Sequence, residues 1–344
     1  MVQLSELGSK RILLVADPYF TKDGTARTIA GLSGAEAVEV FDKIVPDPTI
    51  QQVAEGAALV RKFQPDTIVA LGGGSTMDCA KAMAYFSELP LQFVAIPTTS
   101  GSGSEVTDFA VITHADAKHP LIDQKMQPDV AILDSGLLKQ LPQNLIADCG
   151  FDVLCHALEG AVATGAGSIT DALAREAFCL AYTPLPASFK GDVGVRHHIH
   201  LAATMAAMAF SQAGLGLCHA MAHALGGQFH LPHGRLNGIL LPQVLECNAP
   251  NAGAKYATMA RAAGLGGSTD MMAVRNLKNG LIRLRRELKL PQSLAQAGVN
   301  GQSLREKREQ IIADVLKDPC CDTNPVPVTK EMVESVLDTV AGYG

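Results

Sequence analysis

Thr67-Ile-Val-Ala-Leu-Gly-Gly-Gly-Ser-Thr-Met-Asp78 runs from an apolar, β-branched stretch through three glycines into a helical period. The apolar run bounded by glycine reads as a buried strand, and Met77 to Phe86 continues as a helix. A strand that opens directly into a helix is the building unit of an α/β fold. Glycines at the junction let backbone N–H groups approach a phosphate, and the helix N-terminus adds favourable dipole charge. The same residues equally suit a tight strand-to-helix turn without a ligand. The loop is neither the G-x-G-x-x-G fingerprint nor a Walker loop.

On its N-terminal side, Arg11-Ile-Leu-Leu-Val-Ala-Asp17 and Ala37-Val-Glu-Val-Phe41 read as strands, and Thr49 to Phe63 carries helical spacing. On its C-terminal side, Phe93-Val-Ala-Ile96 and Val130-Ala-Ile-Leu133 read as further strands. This alternation predicts a parallel sheet covered on both faces. From about Leu145 strand signals vanish and long Ala/Leu/Met-rich helical periods take over. The expected organisation is a Rossmann-like α/β domain over 1–144 and an all-α domain over 145–344. Asp318 to Thr329 reads as a turn-rich loop before a last helix, Lys330 to Ala341.

Composition narrows the function classes. The 344 residues carry a net charge of -6 without basic clusters, which argues against nucleic acid or an anionic membrane as partner. Trp is absent and aromatics make up 5%, too few for a base-stacking platform. No apolar run reaches membrane-spanning length, and the N-terminus lacks the marks of a signal peptide, so a cytoplasmic location is expected. The eight cysteines are scattered, with Cys79, Cys155, Cys179 and Cys218 reading as small core residues of a reduced protein. Cys320 and Cys321 are adjacent and lack zinc-knuckle spacing.

Pro97-Thr-Thr-Ser-Gly-Ser-Gly-Ser-Glu105 follows the next strand and again offers hydroxyls and bare amides. Two such loops at successive strand ends suit a pyrophosphate. Asp17 ends the first strand, where a carboxylate either accepts from a ribose or starts a turn before Pro18. Asp152 and His156 are four residues apart, as are His219 and His223, so each pair shares a helix face. With His233 they offer imidazoles and one carboxylate, the mix that borderline divalent metals prefer. Buried histidines that merely satisfy core hydrogen bonds are the alternative. Arg196-His-His-Ile-His200 reads as a solvated helix face, and His114 and His119 flank a loop without a role.

Gly72-Gly-Gly-Ser, Ala95-Ile-Pro-Thr-Thr-Ser-Gly-Ser-Gly-Ser-Glu-Val-Thr107, Gly150-Phe-Asp-Val-Leu-Cys-His-Ala-Leu-Glu159 and the His219 to Gly234 stretch together resemble the iron-containing (group III) alcohol dehydrogenases. The resemblance runs from Arg11 to the Thr323-Asn-Pro loop and is nearest the propanol and ethanol dehydrogenases of propanediol and ethanolamine utilisation. It implies a dehydroquinate-synthase-like fold and reversible hydride transfer between NAD(H) and a small alcohol or aldehyde. It implies Asp152, His156, His219 and His233 as ligands of Fe(II), with Zn(II) an acceptable substitute. His223 matches a non-ligand histidine that relays a proton. Gly73, Gly74, Ser75, Thr98, Ser102 and Thr107, with Asp78 and Thr99 in the same loops, match the dinucleotide site. Lys118 matches a residue that reaches the nicotinamide ribose, Asp17 one that favours NAD by repelling a 2′-phosphate, and Phe210 one that limits substrate size. The resemblance also implies a homodimer and leaves microcompartment association open.

Two departures stand out. Family members carry a further strand and a Phe-Gly-x-Gly turn ahead of the first strand, so an exposed sheet edge or dimer contact is expected here. Ala161 stands where relatives often carry a larger aromatic, which implies a wider pocket. The competing functions are a zinc-dependent polyol dehydrogenase or dehydroquinate-synthase-like enzyme, and a non-catalytic protein that only holds NADH.

Overall fold

The computed structural model describes residues 2–114 and 117–343, with side chains from 4–114 and 119–343. The chain divides into two compact units, residues 1–139 and 140–344.

In the first unit the apolar runs pair as read. Strands β1 (Arg11–Ala16), β2 (Ala37–Phe41), β3 (Thr67–Gly72) and β4 (Gln92–Pro97) lie side by side in the order β2-β1-β3-β4, every neighbour parallel. Helix α1 (Val2–Glu6) precedes β1, α2 (Pro18–Lys22) and α3 (Thr25–Leu32) join β1 to β2, α4 (Ile50–Phe63) joins β2 to β3, and α5 (Gly74–Ser87) joins β3 to β4. α4 starts sharply because Thr49 and Gln52 form a reciprocal capping box. Side chains alternate across the sheet: Leu13, Val15, Ile68 and Ala70 pack with Val53, Val60, Met77 and Met83 of α4 and α5. Ile12, Leu14, Val69 and Leu71 pack with Phe20, Ala26 and Ile29 of α2 and α3. The β1-to-β2 crossover thus lies on the face opposite α4 and α5, which places a topological switch between β1 and β3.

A hairpin, absent from the sequence reading, follows β4. Strands β5 (Phe109–His114) and β6 (Ala117–Ile122) pair antiparallel, with Ile112 opposite His119. The sheet closes with β7 (Val130–Ala131) beside β4, shorter than the expected strand over 130–133.

The second unit is built of helices among its described residues: α6 (Gln143–Val162), α7 (Ser168–Tyr182), α8 (Leu185–Phe189), α9 (Arg196–Ala213), α10 (Leu217–Phe229), α11 (His233–Ala262), α12 (Asp270–Glu287), α13 (Gly301–Lys317) and α14 (Lys330–Ala341). α6 is apolar nearly all round and is buried from Ile146 onward along most of its length. Among the described residues no single helix is long and apolar enough to cross a membrane; α9 and α10 meet at 103° and feed their apolar residues into this core. Arg196 and His200, read as part of a solvated face, are buried; only His197 of that run is exposed. The helix α9 turns their side of the run inward with Ile199. Ala161 packs in the core as well.

Candidate active site

α6 carries Asp152 and His156 on one face, α10 carries His219, and α11 begins at His233 directly after Pro232, whose fixed φ suits a helix start. The three helices bring these residues together. The ligand-type atoms of Asp152, His156 and His219 lie within 4.8 Å of one another. Nε2 of His156 and Nε2 of His219 each stand 3.9 Å from Asp152 Oδ1, and Nε2 of His233 stands 3.5 Å from it. These separations exceed hydrogen-bond length. They approach the spacing of about 3.4 Å between ligands that share one cation at bonds of roughly 2.1 Å. Close approach of α11 to α6 is possible only because Gly234 follows His233: a Cβ there would stand 2.0 Å from the Asp148 carbonyl oxygen.

Burial and hydrogen bonds set the state of these side chains. Burial, then the neighbouring His156, holds His219 well below the ordinary imidazole range, so its ring is neutral. Its Nδ1 lies 2.6 Å from Glu159 Oε2, which leaves Nε2 with a lone pair facing Asp152. Burial raises Asp152, but His156 beside it and a 2.8 Å hydrogen bond from Asn237 Nδ2 outweigh it and hold the carboxyl below the usual carboxylate range. Asn237 Nδ2 also lies 3.4 Å from His219 Nε2. The ring of Phe210 stacks on His156 at 4.4 Å.

His223 stands apart from this convergence. Its Nδ1 lies 2.8 Å from Asp318 Oδ2, and its ring stacks on His233 at 5.2 Å. Burial raises Asp318, yet the bonds from His223 and Cys320 hold it below the usual carboxylate range. Glu159, Asn237 and Asp318 were not singled out in the sequence. Their partners His219, Asp152 and His223 lie far along the chain, although Glu159 ends the His-Ala-Leu-Glu run and Asp318 opens the turn-rich loop.

The first unit gathers its own candidates at the carboxyl ends of β1, β3 and β4. Gly73 caps α5 without a side chain, leaving the first amides of the helix uncapped. A Cβ on Gly73 would stand 3.1 Å from Thr99, and one on Gly74 would stand 3.0 Å from Ser102 Oγ, so the two loops approach closely and glycine fits there without a shift. Thr98 N–H donates to Gly72 O at 2.9 Å and ties the two loops together. Ser75 Oγ accepts from Asp47 N–H at 3.3 Å. Asp17 Oδ1 caps α2 by accepting from Tyr19 N–H at 2.9 Å, while Asp17 N–H bonds Leu71 O at the switch point. The carboxylate is therefore a turn starter, and it stands at the strand end where a ribose would be read.

Other expected contacts face inward. Asp78 commits both oxygens to the fold, Oδ1 accepting from Ser104 Oγ at 2.7 Å and Oδ2 from Val111 N–H at 3.0 Å. Thr107 is fully buried, and its carbonyl and hydroxyl oxygens accept from the buried Lys81 ammonium at 2.8 and 3.2 Å. Lys118 lies in β6, but its side chain falls outside the described residues. His114 and His119, without a role in the sequence, face each other across the hairpin at 6.1 Å.

Residues 2–135 match the model of the iron-containing alcohol dehydrogenases, and residues 146–341 match the C-terminal model of the same family. The chain belongs to the iron-containing alcohol dehydrogenase family. It is 41% identical over 349 residues to a 1-propanol dehydrogenase of Salmonella typhimurium, an alignment that covers 97% of this chain and 94% of that one. It is 36% identical to an NADPH-dependent butanol dehydrogenase of Clostridium saccharobutylicum, covering 98% and 93%. The structure of sulfoacetaldehyde reductase from Bifidobacterium kashiwanohense in complex with NAD+ superposes with a TM-score of 0.90 at 25% identity, covering 100% of this chain and 94% of that one. Membership makes this chain an oxidoreductase of the alcohol dehydrogenase kind with iron as its metal, and the Asp152, His156 and His219 cluster suits such an ion. Zinc polyol chemistry and a non-catalytic role are not favoured.

Proposed function

We propose that the enzyme interconverts propanol and propionaldehyde, or ethanol and acetaldehyde, with Fe(II) held by Asp152, His156, His219 and His233. The support is the convergence of three Nε2 atoms on Asp152 Oδ1 at 3.5–3.9 Å, with Glu159 fixing the far side of His219. Iron bound there supplies Lewis acidity toward a substrate oxygen. Hydride exchange belongs to the dinucleotide, and positioning and proton transfer fall to the chain. Asn237 and Glu159 hold the ligand side chains in register, and Phe210, stacked on His156, walls off the space beside it and favours short substrates. His223 keeps a proton at Nδ1 through Asp318, is half-exposed, and is suited to carry the alcohol proton to solvent. Gly73, Gly74, Ser75, Thr98, Thr99 and Ser102 receive the dinucleotide phosphates, and the Asp17 carboxylate at the end of β1 disfavours a 2′-phosphate. A homodimer, a cytoplasmic location and microcompartment association belong to the same reading.

The test is anaerobic NADH oxidation with propionaldehyde by protein loaded with Fe(II), loaded with Zn(II), or stripped by chelator. Turnover is expected with iron and is expected to vanish with chelator. His233→Ala is expected to lose bound iron and turnover together. A metal-free variant that still turns over overturns the ligand assignment, and turnover with zinc alone returns the polyol-dehydrogenase alternative.

A further inference from the structure

A second group of metal-ligand side chains lies one imidazole away from the Asp152 cluster. His223, Asp318 and Cys320 each present a donor atom, and the three atoms lie within 4.8 Å of one another. We propose that these residues form a separate site for a borderline-soft divalent cation such as Zn(II), and that filling it inhibits the enzyme by immobilising His223. The inhibitory consequence rests on the proton-carrying role given to His223 above; the binding itself does not.

The donor set is one imidazole nitrogen, one carboxylate oxygen and one sulfur, the combination that zinc takes, with a fourth position left for water. The site is also built before any cation arrives. Asp318 ends α13, and a 3-10 turn over Pro319–Thr323 follows. Asp318 Oδ1 accepts from Cys320 N–H at 2.9 Å, while Oδ2 faces His223 Nδ1 at 2.8 Å. The turn is bolted to the start of α10 and to α11: Thr323 Oγ1 donates to Leu215 O at 2.7 Å, Asn324 Oδ1 accepts from Leu217 N–H at 3.1 Å, and Asn324 Nδ2 donates to Asn248 Oδ1 at 2.8 Å. Binding therefore orders little that is not already ordered. Cys321, its neighbour, is not part of the set, because its Sγ points back to Val315 O at 3.1 Å.

The most exposed donor of either group is His223, 44% exposed against 34% for His233, whereas His219 and His156 are buried, so a cation in solution meets the outer imidazole first. Once bound, it replaces the proton between His223 Nδ1 and Asp318 and the proton of the Cys320 thiol, both released to solvent. The ring is then fixed in place and its Nδ1 carries no proton.

The experiment uses iron-loaded enzyme and zinc chloride under anaerobic conditions. Turnover with propionaldehyde is followed as zinc is added, and iron and zinc are counted in the desalted protein. One zinc per chain is expected, with iron retained and turnover lost. Cys320→Ser is expected to keep its zinc-free turnover and to need about tenfold more zinc or greater for half inhibition, in line with the loss of a ligand-shell residue. Cys321→Ser is expected to behave as the parent enzyme. Cobalt(II) added in place of zinc is expected to give a thiolate-to-cobalt charge-transfer band that Cys320→Ser lacks. Iron leaving in step with zinc uptake overturns the proposal, because it puts zinc in the Asp152 cluster. So does an unchanged zinc response or cobalt band in Cys320→Ser, or their loss in Cys321→Ser. Stoichiometry and the cobalt band are read without turnover, so an enzyme inactive toward every aldehyde overturns the proposed reaction and leaves the binding site to be judged on its own.

Discussion

Glu159 receives hydrogen bonds from one turn of α10: Cys218 N–H at 2.7 Å, His219 N–H at 3.3 Å and His219 Nδ1 at 2.6 Å. Burial pushes its carboxyl up to about 7, against the pull of those bonds. A carboxylate held in this way keeps the His219 tautomer, sharpens its basicity and stops the ring from turning. Glu159→Gln keeps the shape of the side chain but removes its charge and turns one of its two accepting oxygens into a donor. It is expected to leave the fold intact and weaken iron binding by about 10–100-fold, read by competition against a chelator of known affinity. Iron affinity equal to the parent would show that the carboxylate does not act on the metal. The contrast with the candidate ligands explains what a sequence can disclose. Asp152 with His156 stand four apart in a helical period, and an imidazole pattern with one carboxylate is chemically uncommon. Glu159, Asn237 and Asp318 are ordinary residue types, and each gains its meaning from a partner 60, 85 or 95 positions away.

Helix α11 runs for 30 residues with Pro242 inside it, a position where the missing N–H leaves the carbonyl four residues back without its helical partner. That carbonyl is Gly238 O, and Arg285 of α12 fills the gap: its Nη1 donates to Gly238 O and to Ile239 O, both at 3.0 Å. Burial lowers the Arg285 guanidinium to about 10, yet it stays charged in this place, held by two carbonyl dipoles. Arg285→Met is expected to destabilise the protein by about 1–3 kcal/mol, the cost of a buried carbonyl left unbonded. In a Pro242→Ala background the amide at 242 can serve Gly238, so the two substitutions are expected to couple by about 0.5–3 kcal/mol in a double-mutant cycle of urea unfolding. Additive effects would show that Arg285 acts elsewhere. The order of strands and helices was legible because periodicity changes plainly from two to about 3.6 along the chain. The hairpin of β5 and β6 was not: its alternation is short and half-exposed, and what fixes it is the buried Lys81 ammonium, which donates to Phe109 O at 3.0 Å as well as to Thr107.

Each unit has its own hydrophobic core, one of helices alone and one divided across the two faces of the sheet, so each can respond separately to what it binds. The four metal-ligand candidates all belong to α6, α10 and α11 of the second unit. The uncapped amides and glycine cradle belong to the first. A ligand that binds only the folded form stabilises it by mass action, about 2.7 kcal/mol at a hundred times its dissociation constant. Iron is therefore expected to raise amide hydrogen-exchange protection in peptides from α6, α10 and α11, and a chelator to remove that protection. Peptides from β1, β3 and β4 are expected to keep theirs through chelation and to gain protection from NADH. A uniform loss over both units on chelation would mean that they unfold as one cooperative body. Protection confined to the helical unit would locate the linkage where three helices converge on Asp152, because separating any one of them dismantles the ligand set while the sheet and its two loops stay whole.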